Sequence, residues 1–358
     1  MRIADLVIHN LEVSLRSPFT ANMRKTVDRT SVILAEVISE SGIIGWGEGT
    51  AIPAVSGETP ESIEAALRGP LSAVIMQREF ASIEDFSETI NCAIAGNPGA
   101  KAALDIAAYD IFARELGVPL YRALGGAGLD IETGITIGLG DVAEMEALAV
   151  QRVKQGFTCL KLKAGRSARR DLEVARAVRS AVGPDINLRL DANQGWSAKE
   201  AVSVIRAMEN DGLDIELIEQ PVRADDIEGL RFVCSRVLTS IVADESVITP
   251  ADALEICAKR AADVLNVKIQ KNGGVSNVLR MVAVAEAAGM KCMIGCALET
   301  TVSITAAASI AAARSSVCFV DLDAPLWLAN SPVVGGVTYS GPHIRFPEEA
   351  GLGISGVR

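Results

Sequence analysis

Five charged residues close short apolar runs at nearly even intervals. Lys163 ends CLKLK, Asp191 ends INLRLD, Glu219 ends IELIE, Asp244 ends SIVAD and Lys268 ends VLNVK. The gaps are 28, 28, 25 and 24 residues. Each gap has room for one strand, a turn and the crossover helix that parallel strands require. The rhythm extends in both directions. Eight strand ends fall near Thr136, Lys163, Asp191, Glu219, Asp244, Lys268, Gly295 and Asp321, always 24–28 residues apart. Eight βα repeats of this size predict an α/β fold, a (β/α)₈ TIM-like barrel whose functional groups gather where the strands end.

The residues before and after the repeats follow a different pattern. Ile3 to Leu15 and Ser31 to Ser39 read as strands, with Ser41-Gly42 turning the chain into IIGWGEG. The stretch from Ser17 to Thr30, with Pro18, reads as a polar connection. Thr59-Pro60 marks a helix start, and helices are predicted over 60–77, 82–94 and 99–116. The expected organisation is an α+β capping domain over 1–123, the barrel over 124–330 and a segment over 331–358 that returns to the cap.

Bulk properties exclude some functions. A net charge of −11 argues against nucleic acid. The apolar stretch from Ile304 to Ala313 is too short to span a bilayer and reads as a buried helix. MRIADLVIHNLEVSL carries Asp5 and no long apolar core, so it does not read as a signal peptide. Seven cysteines, an odd number without paired metal-ligand spacing, fit a reduced cytoplasmic protein. A homo-oligomer acting on a small molecule is expected.

Asp191, Glu219 and Asp244 fall on three consecutive strands. Three carboxylates are hard-cation ligands. Lys161 and Lys163 are two apart on one strand and share a face. Like-charge repulsion and desolvation are expected to lower their pKa values, leaving a usable base near neutral pH. Lys268 lies across the barrel mouth. Bases on opposite walls, with a metal between them, suit removal of a proton from one face of a carbon and its return to the other. For a carbon α to a carboxylate, a metal must stabilise the developing charge.

KLK at 161–163, LDANQGW from Leu190, IEQP at 218–221, ADES at 243–246 and KIQKNGG at 268–274 resemble the enolase superfamily, in particular its muconate-lactonizing group. Pairing a lysine base with magnesium is a known trait of such sites. The resemblance covers nearly the whole chain, including the cap and the GLGISG tail. It implies one Mg²⁺ per subunit on Asp191, Glu219 and Asp244. It also implies Lys163 and Lys268 as acid/base groups, with Lys161 adding positive charge.

The Asp321-x-Asp323 pair in VCFVDLDAPLWL resembles that of the dipeptide epimerases. There it implies a clamp for a free α-ammonium. The same resemblance implies that Arg24 holds the γ-carboxylate of a Glu side chain in an L-Ala-D/L-Glu-type substrate. Thr136, Cys296 and Glu299 are further candidate pocket residues. Recycling of cell-wall peptides would be the setting.

The rivals on the same machinery are N-acylamino-acid racemase, o-succinylbenzoate synthase and muconate cycloisomerase. The two aspartates argue against them, since their substrates lack a free α-ammonium. A non-catalytic metal-binding barrel would lose the lysine bases, yet all three are present. Mandelate-racemase-like chemistry would want a histidine on a late strand, and only His9 and His343 exist.

Overall fold

The computed structural model describes residues 1–20, 26–76, 78–127 and 130–358. Three antiparallel strands open the chain: β1 (Ile3–Thr20), β2 (Thr26–Ser39) and β3 (Ile44–Thr50). β1 and β2 run further than expected. The ladder continues to Phe19 opposite Val27 and Thr20 opposite Thr26. The polar stretch from Ser17 to Thr30 is therefore mostly strand. Its Phe, Val and Thr residues carry strand preference, and cross-strand bonds satisfy a backbone that a loop would leave to water. Arg24 lies outside the described residues.

Thr59 caps the first helix (Pro60–Ala66) through a capping box with Ser62. The helix expected over 60–77 is broken. A π-helical turn (Leu67–Leu71) with non-helical Gly69 leads into a short helix (Ser72–Ile75). Pro70 is the cause, since it lacks an N–H and crowds the preceding turn. Helices Ile83–Ala93 and Pro98–Glu115 complete the cap.

The long helix Pro98–Glu115 lies directly on β3. A Cβ at Gly47 would stand 1.7 Å from the Ala103 carbonyl oxygen, and one at Gly45 2.2 Å from that of Ala107. Neither contact can be relieved by a side chain, because both partners are backbone. Gly47→Ala should therefore cost at least the ~1–3 kcal/mol of an overpacked core, read as a lower Tm. An unchanged Tm would refute the close approach.

Eight parallel strands follow in sequence order: Ile135–Ile137, Cys159–Lys163, Asn187–Asp191, Ile215–Glu219, Ser240–Ala243, Val264–Val267, Lys291–Gly295 and Val317–Asp321. Gly134 N–H donates to Val320 O at 3.3 Å and links the last strand to the first. The register aligns the strand ends, with Lys163 opposite Asp191 and Asp191 opposite Glu219. Leu160, Leu162, Leu188 and Leu190 alternate with these residues and pack in the buried core. The Ala-rich stretch around Ile304 is a buried helix (Thr301–Ala313), as expected, and no helix among the described residues is long and apolar enough to cross a membrane.

Two buried carboxylates of the cap end on barrel helices. Asp105 accepts the Ser276 N–H at 2.9 Å at the start of helix Val275–Ala287. Glu48 accepts the N–H groups of Thr300 and Ser303 at the start of helix Thr301–Ala313. Orphan helix N–H groups and the positive end of the helix dipole favour such partners. The last residues also reach the cap. Asp110 accepts the Leu352 N–H at 2.7 Å, and Arg114 donates to Ile354 O at 2.6 Å.

Candidate active site

A cavity of about 870 Å³ opens at the strand ends, between the barrel and the cap. Lys161, Lys163, Asp244, Lys268, Asp321 and Asp323 line it, with Phe19, Val27, Ile52 and Leu298 forming an apolar wall. Asp191 and Glu219 lie beneath, with no exposed surface.

The charges interlock. Lys161 Nζ stands 2.7 Å from Asp321 Oδ2, 2.7 Å from Glu219 Oε2 and 3.3 Å from Asp191 Oδ2. Lys163 Nζ donates to Asp191 Oδ2 at 2.6 Å and to Asn193 Oδ1 at 3.1 Å. Lys268 Nζ donates to Asp244 Oδ2 at 2.6 Å. Lys163 and Lys268 come from the second and sixth strands, on opposite walls of the cavity.

The expected effect of the two lysines on each other is overturned for Lys161. Burial works against its charge, but Asp321, Glu219 and Asp191 outweigh it and raise its pKa well above the usual lysine value. Burial opposes the charge on Lys268 too, and Asp244 and Glu219 likewise raise its pKa. Carboxylates at 2.6–3.8 Å decide the sign, because opposite charges this close outweigh desolvation.

The three metal-ligand candidates are not alike. Burial disfavours the charge on Asp191, yet Lys163 and Lys161 bring its carboxyl down to about 2. Asp244 is likewise held low against burial by Lys268 and Lys271. Burial and the neighbouring Asp191 push the Glu219 carboxyl up to about 8, because negative charge is in excess at that point. Glu219 Oε2 and Asp244 Oδ1 accept no well-directed hydrogen bond. The ammonium groups of Lys161 and Lys271 nonetheless lie 2.7 and 3.1 Å from them, so those contacts are of charge rather than direction. Among the described residues no three such side chains close on one point as a metal cage, since each turns an oxygen to a lysine. The donor set itself fits a hard divalent cation: three carboxylates on adjacent strands, two of them with an oxygen that accepts no well-directed hydrogen bond.

The remaining candidates are placed as follows. Asp323 accepts the Thr136 N–H at 2.8 Å and the Trp327 indole N–H at 2.9 Å. Burial and Asp321 push its carboxyl up. Asp321 Oδ1 is buried without a hydrogen-bond partner. Cys296 lines the cavity, with Sγ 3.9 Å from Asp323 Oδ1. Glu299 lies behind the wall, where it accepts from Ala297 N–H at 2.5 Å and Ser303 Oγ at 2.6 Å.

Several residues were not singled out from the sequence. Asn266 donates to Glu219 Oε1 at 2.8 Å. It stands two before Lys268, so strand alternation alone would have found it. Lys271 donates to the carbonyls of Asp244, Val247 and Asn266 and ties the loop after the fifth strand to the sixth strand. Asp171 accepts from Gly165 N–H and the Trp196 indole N–H, both at 2.9 Å, and joins the turns after Lys163 and Asp191. Asn193, Gln194 and Gln220 take positive φ, a costly conformation that clusters at functional sites.

The fold and site define a capped (β/α)₈ barrel with lysines ranged around buried carboxylates. Residues 3–125 match the mandelate racemase / muconate lactonizing enzyme N-terminal domain, and residues 144–356 match the enolase C-terminal domain-like family. The chain belongs to this family, within the enolase superfamily, and is an isomerase.

It is 42% identical to the L-Ala-D/L-Glu epimerase of Clostridium acetobutylicum, over 100% of this chain and 99% of that protein. A substrate-liganded complex of the L-Ala-D/L-Glu epimerase from Bacillus subtilis superposes with TM-score 0.98, at 41% identity and 100% coverage of both chains. The dipeptide epimerase of Enterococcus faecalis V583, complexed with Mg and the dipeptide L-Leu-L-Tyr, superposes with TM-score 0.95. Its identity is 41%, covering 99% of this chain and 100% of that one.

Proposed function

We propose that this protein is a magnesium-dependent dipeptide epimerase, of L-Ala-D/L-Glu type, that inverts the α-carbon of the C-terminal residue by two-base 1,1-proton transfer. One observation carries the reading. Lys163 and Lys268 present ammonium groups from opposite walls of one cavity, with Asp191, Glu219 and Asp244 between them. Opposed bases are what inversion at a single carbon requires. The dipeptide epimerases that the chain is similar to support the same substrate class.

Asp191, Glu219 and Asp244 would hold the ion. When bound, Mg²⁺ supplies positive charge to the substrate carboxylate as the α-proton leaves. Lys163 takes or gives that proton on one face, and Lys268 does so on the other. Each amine must be neutral to act as a base. Asp244 and Glu219 favour the charged form of Lys268, and a cation held by those carboxylates would weaken that preference. Lys161, held by Asp321, stays charged and stabilises negative charge from below. Asp321 and Asp323 take the substrate's α-ammonium, with Asp321 Oδ1 the free acceptor. Arg24 pairs with an acidic second side chain.

A deuterium-exchange screen in D₂O against a dipeptide library, read by mass spectrometry, tests the reading. Exchange at the second residue of dipeptides is expected, and none in any dipeptide would refute it. Within the screen, N-acetyl-Ala-Glu should react far more slowly than Ala-Glu. Losing a buried charge-assisted contact costs on the order of 2–5 kcal/mol, roughly 30- to several-thousand-fold in kcat/KM. Good turnover of the acetylated substrate would point instead to an N-acylamino-acid racemase. Preference for Ala-Leu over Ala-Glu would remove Arg24 from the pocket.

A further inference from the structure

Two separate segments form much of the cavity wall: 51–55, after β3, and 296–298, after the seventh barrel strand. Both are tied to one buried carboxylate. Glu48 Oε1 accepts from Thr300 N–H at 2.9 Å and from Thr50 Oγ at 3.0 Å. Glu48 Oε2 accepts from Thr300 Oγ at 2.5 Å and Ser303 N–H at 3.2 Å. Gln270 bridges the same groups. Its Oε1 accepts the Thr50 N–H at 2.8 Å, and its Nε2 donates to Glu48 O at 2.8 Å and Ser303 Oγ at 2.9 Å. Ser303 Oγ passes the chain on to Glu299, which holds Ala297 N–H.

Each partner sits at the edge of a functional element. Thr50 begins the 51–55 wall, Thr300 ends the 296–299 loop, and Gln270 is two residues past Lys268. Glu48 and Thr300 have no exposed surface, and Gln270 is 1% exposed. Burying a carboxylate without a cation is costly, and an apolar contact between cap and barrel would hold them together at less cost. The retained network fixes two walls and one base at set distances from each other.

We propose that Glu48 and Gln270 are positioning residues for substrate selection. They fix the 51–55 and 296–298 walls against the Lys268 strand end, and so set which second side chain the cavity accepts. This rests on the dipeptide epimerase reading for its substrate, but its structural core can be measured without turnover.

The test compares Glu48→Gln with wild type. The amide places an N–H₂ against donors that the carboxylate now accepts, so it loosens the network while keeping its shape. KM for the preferred dipeptide should rise about tenfold, as for one lost buried hydrogen bond. The kcat should change little, and the preference between acidic and apolar second residues should shrink. Amide hydrogen exchange should show 51–55 and 296–300 losing protection together while the barrel strands keep theirs.

Thr50→Val removes only the hydroxyl contact to Glu48. It should move the same readouts in the same sense, and it serves if Glu48→Gln does not fold. Unchanged selectivity with altered stability would reduce Glu48 to a structural contact and overturn the proposal. So would protection lost in one segment only, or in neither. If wild type exchanges no dipeptide, the functional reading fails on its own, and the amide exchange data still decide whether Glu48 fixes both walls.

Discussion

Lys268→Ala is expected to abolish epimerisation, by roughly 10²- to 10⁴-fold, the contribution of a positioned acid or base. The ammonium of Lys268 stands 2.6 Å from Asp244 and 3.8 Å from Glu219. The lysine on the other wall, Lys163, is held by Asp191 and Asn193 and does not depend on it. The variant should therefore lose inversion but keep one-sided chemistry. One epimer should still exchange its α-proton with D₂O through Lys163, without changing configuration. Lys163→Ala should do the reverse. Chiral analysis of the product, together with deuterium incorporation for each epimer, separates these outcomes. Inversion at the wild-type rate in Lys268→Ala would exclude it as a base.

Asp244→Asn should remove divalent-cation binding and nearly all activity. A metal contributes several kcal/mol to stabilising charge beside a carboxylate, roughly 10³-fold or more in rate. The substitution removes one anion of three in nearly constant volume. It also relieves the partner of both Lys268 and Lys271. Lys271 keeps three backbone carbonyl acceptors, so the loop and strand it joins should hold and the fold survive. Calorimetric titration with Mg²⁺ reads the binding loss independently of turnover, and Tm reads the fold. Full turnover by wild-type protein in excess EDTA, with metal content measured as nil, would refute metal dependence.

The barrel was legible because its repeat is written twice, in spacing and in alternation. A strand end every 24–28 residues fixes the count. Period-two alternation then says that Lys161 and Lys163 share a side and that their leucine neighbours do not. Parallel register does the rest, since it carries Asp191 level with Glu219.

Other features depend on contacts that no local pattern encodes. Glu48 reads as one acid in a glycine-rich strand, and its partner Thr300 is 252 residues away. The sign of the Lys161 shift follows from the summed distances to three carboxylates, which a sequence does not give. The extension of the β1–β2 ladder past Leu15 and Ser31 is not legible because Pro18 and two arginines outweigh its scattered strand formers. The break at Gly69-Pro70 was written in the sequence, and the capping signal at Thr59 overshadowed it.

The docking of cap on barrel by Glu48 and Asp105 bears on how such enzymes diversify. The anchors sit on the strand and helix scaffold, while the cavity-lining segments 51–55 and 296–298 lie outside those elements. Loop sequence can drift without loosening the joint, so new specificities can accumulate on an old frame. A chimera that grafts a foreign cap onto this barrel inherits the opposite constraint. It needs acids at both anchor positions, or it leaves two helices with unanswered amides and a seam open to water.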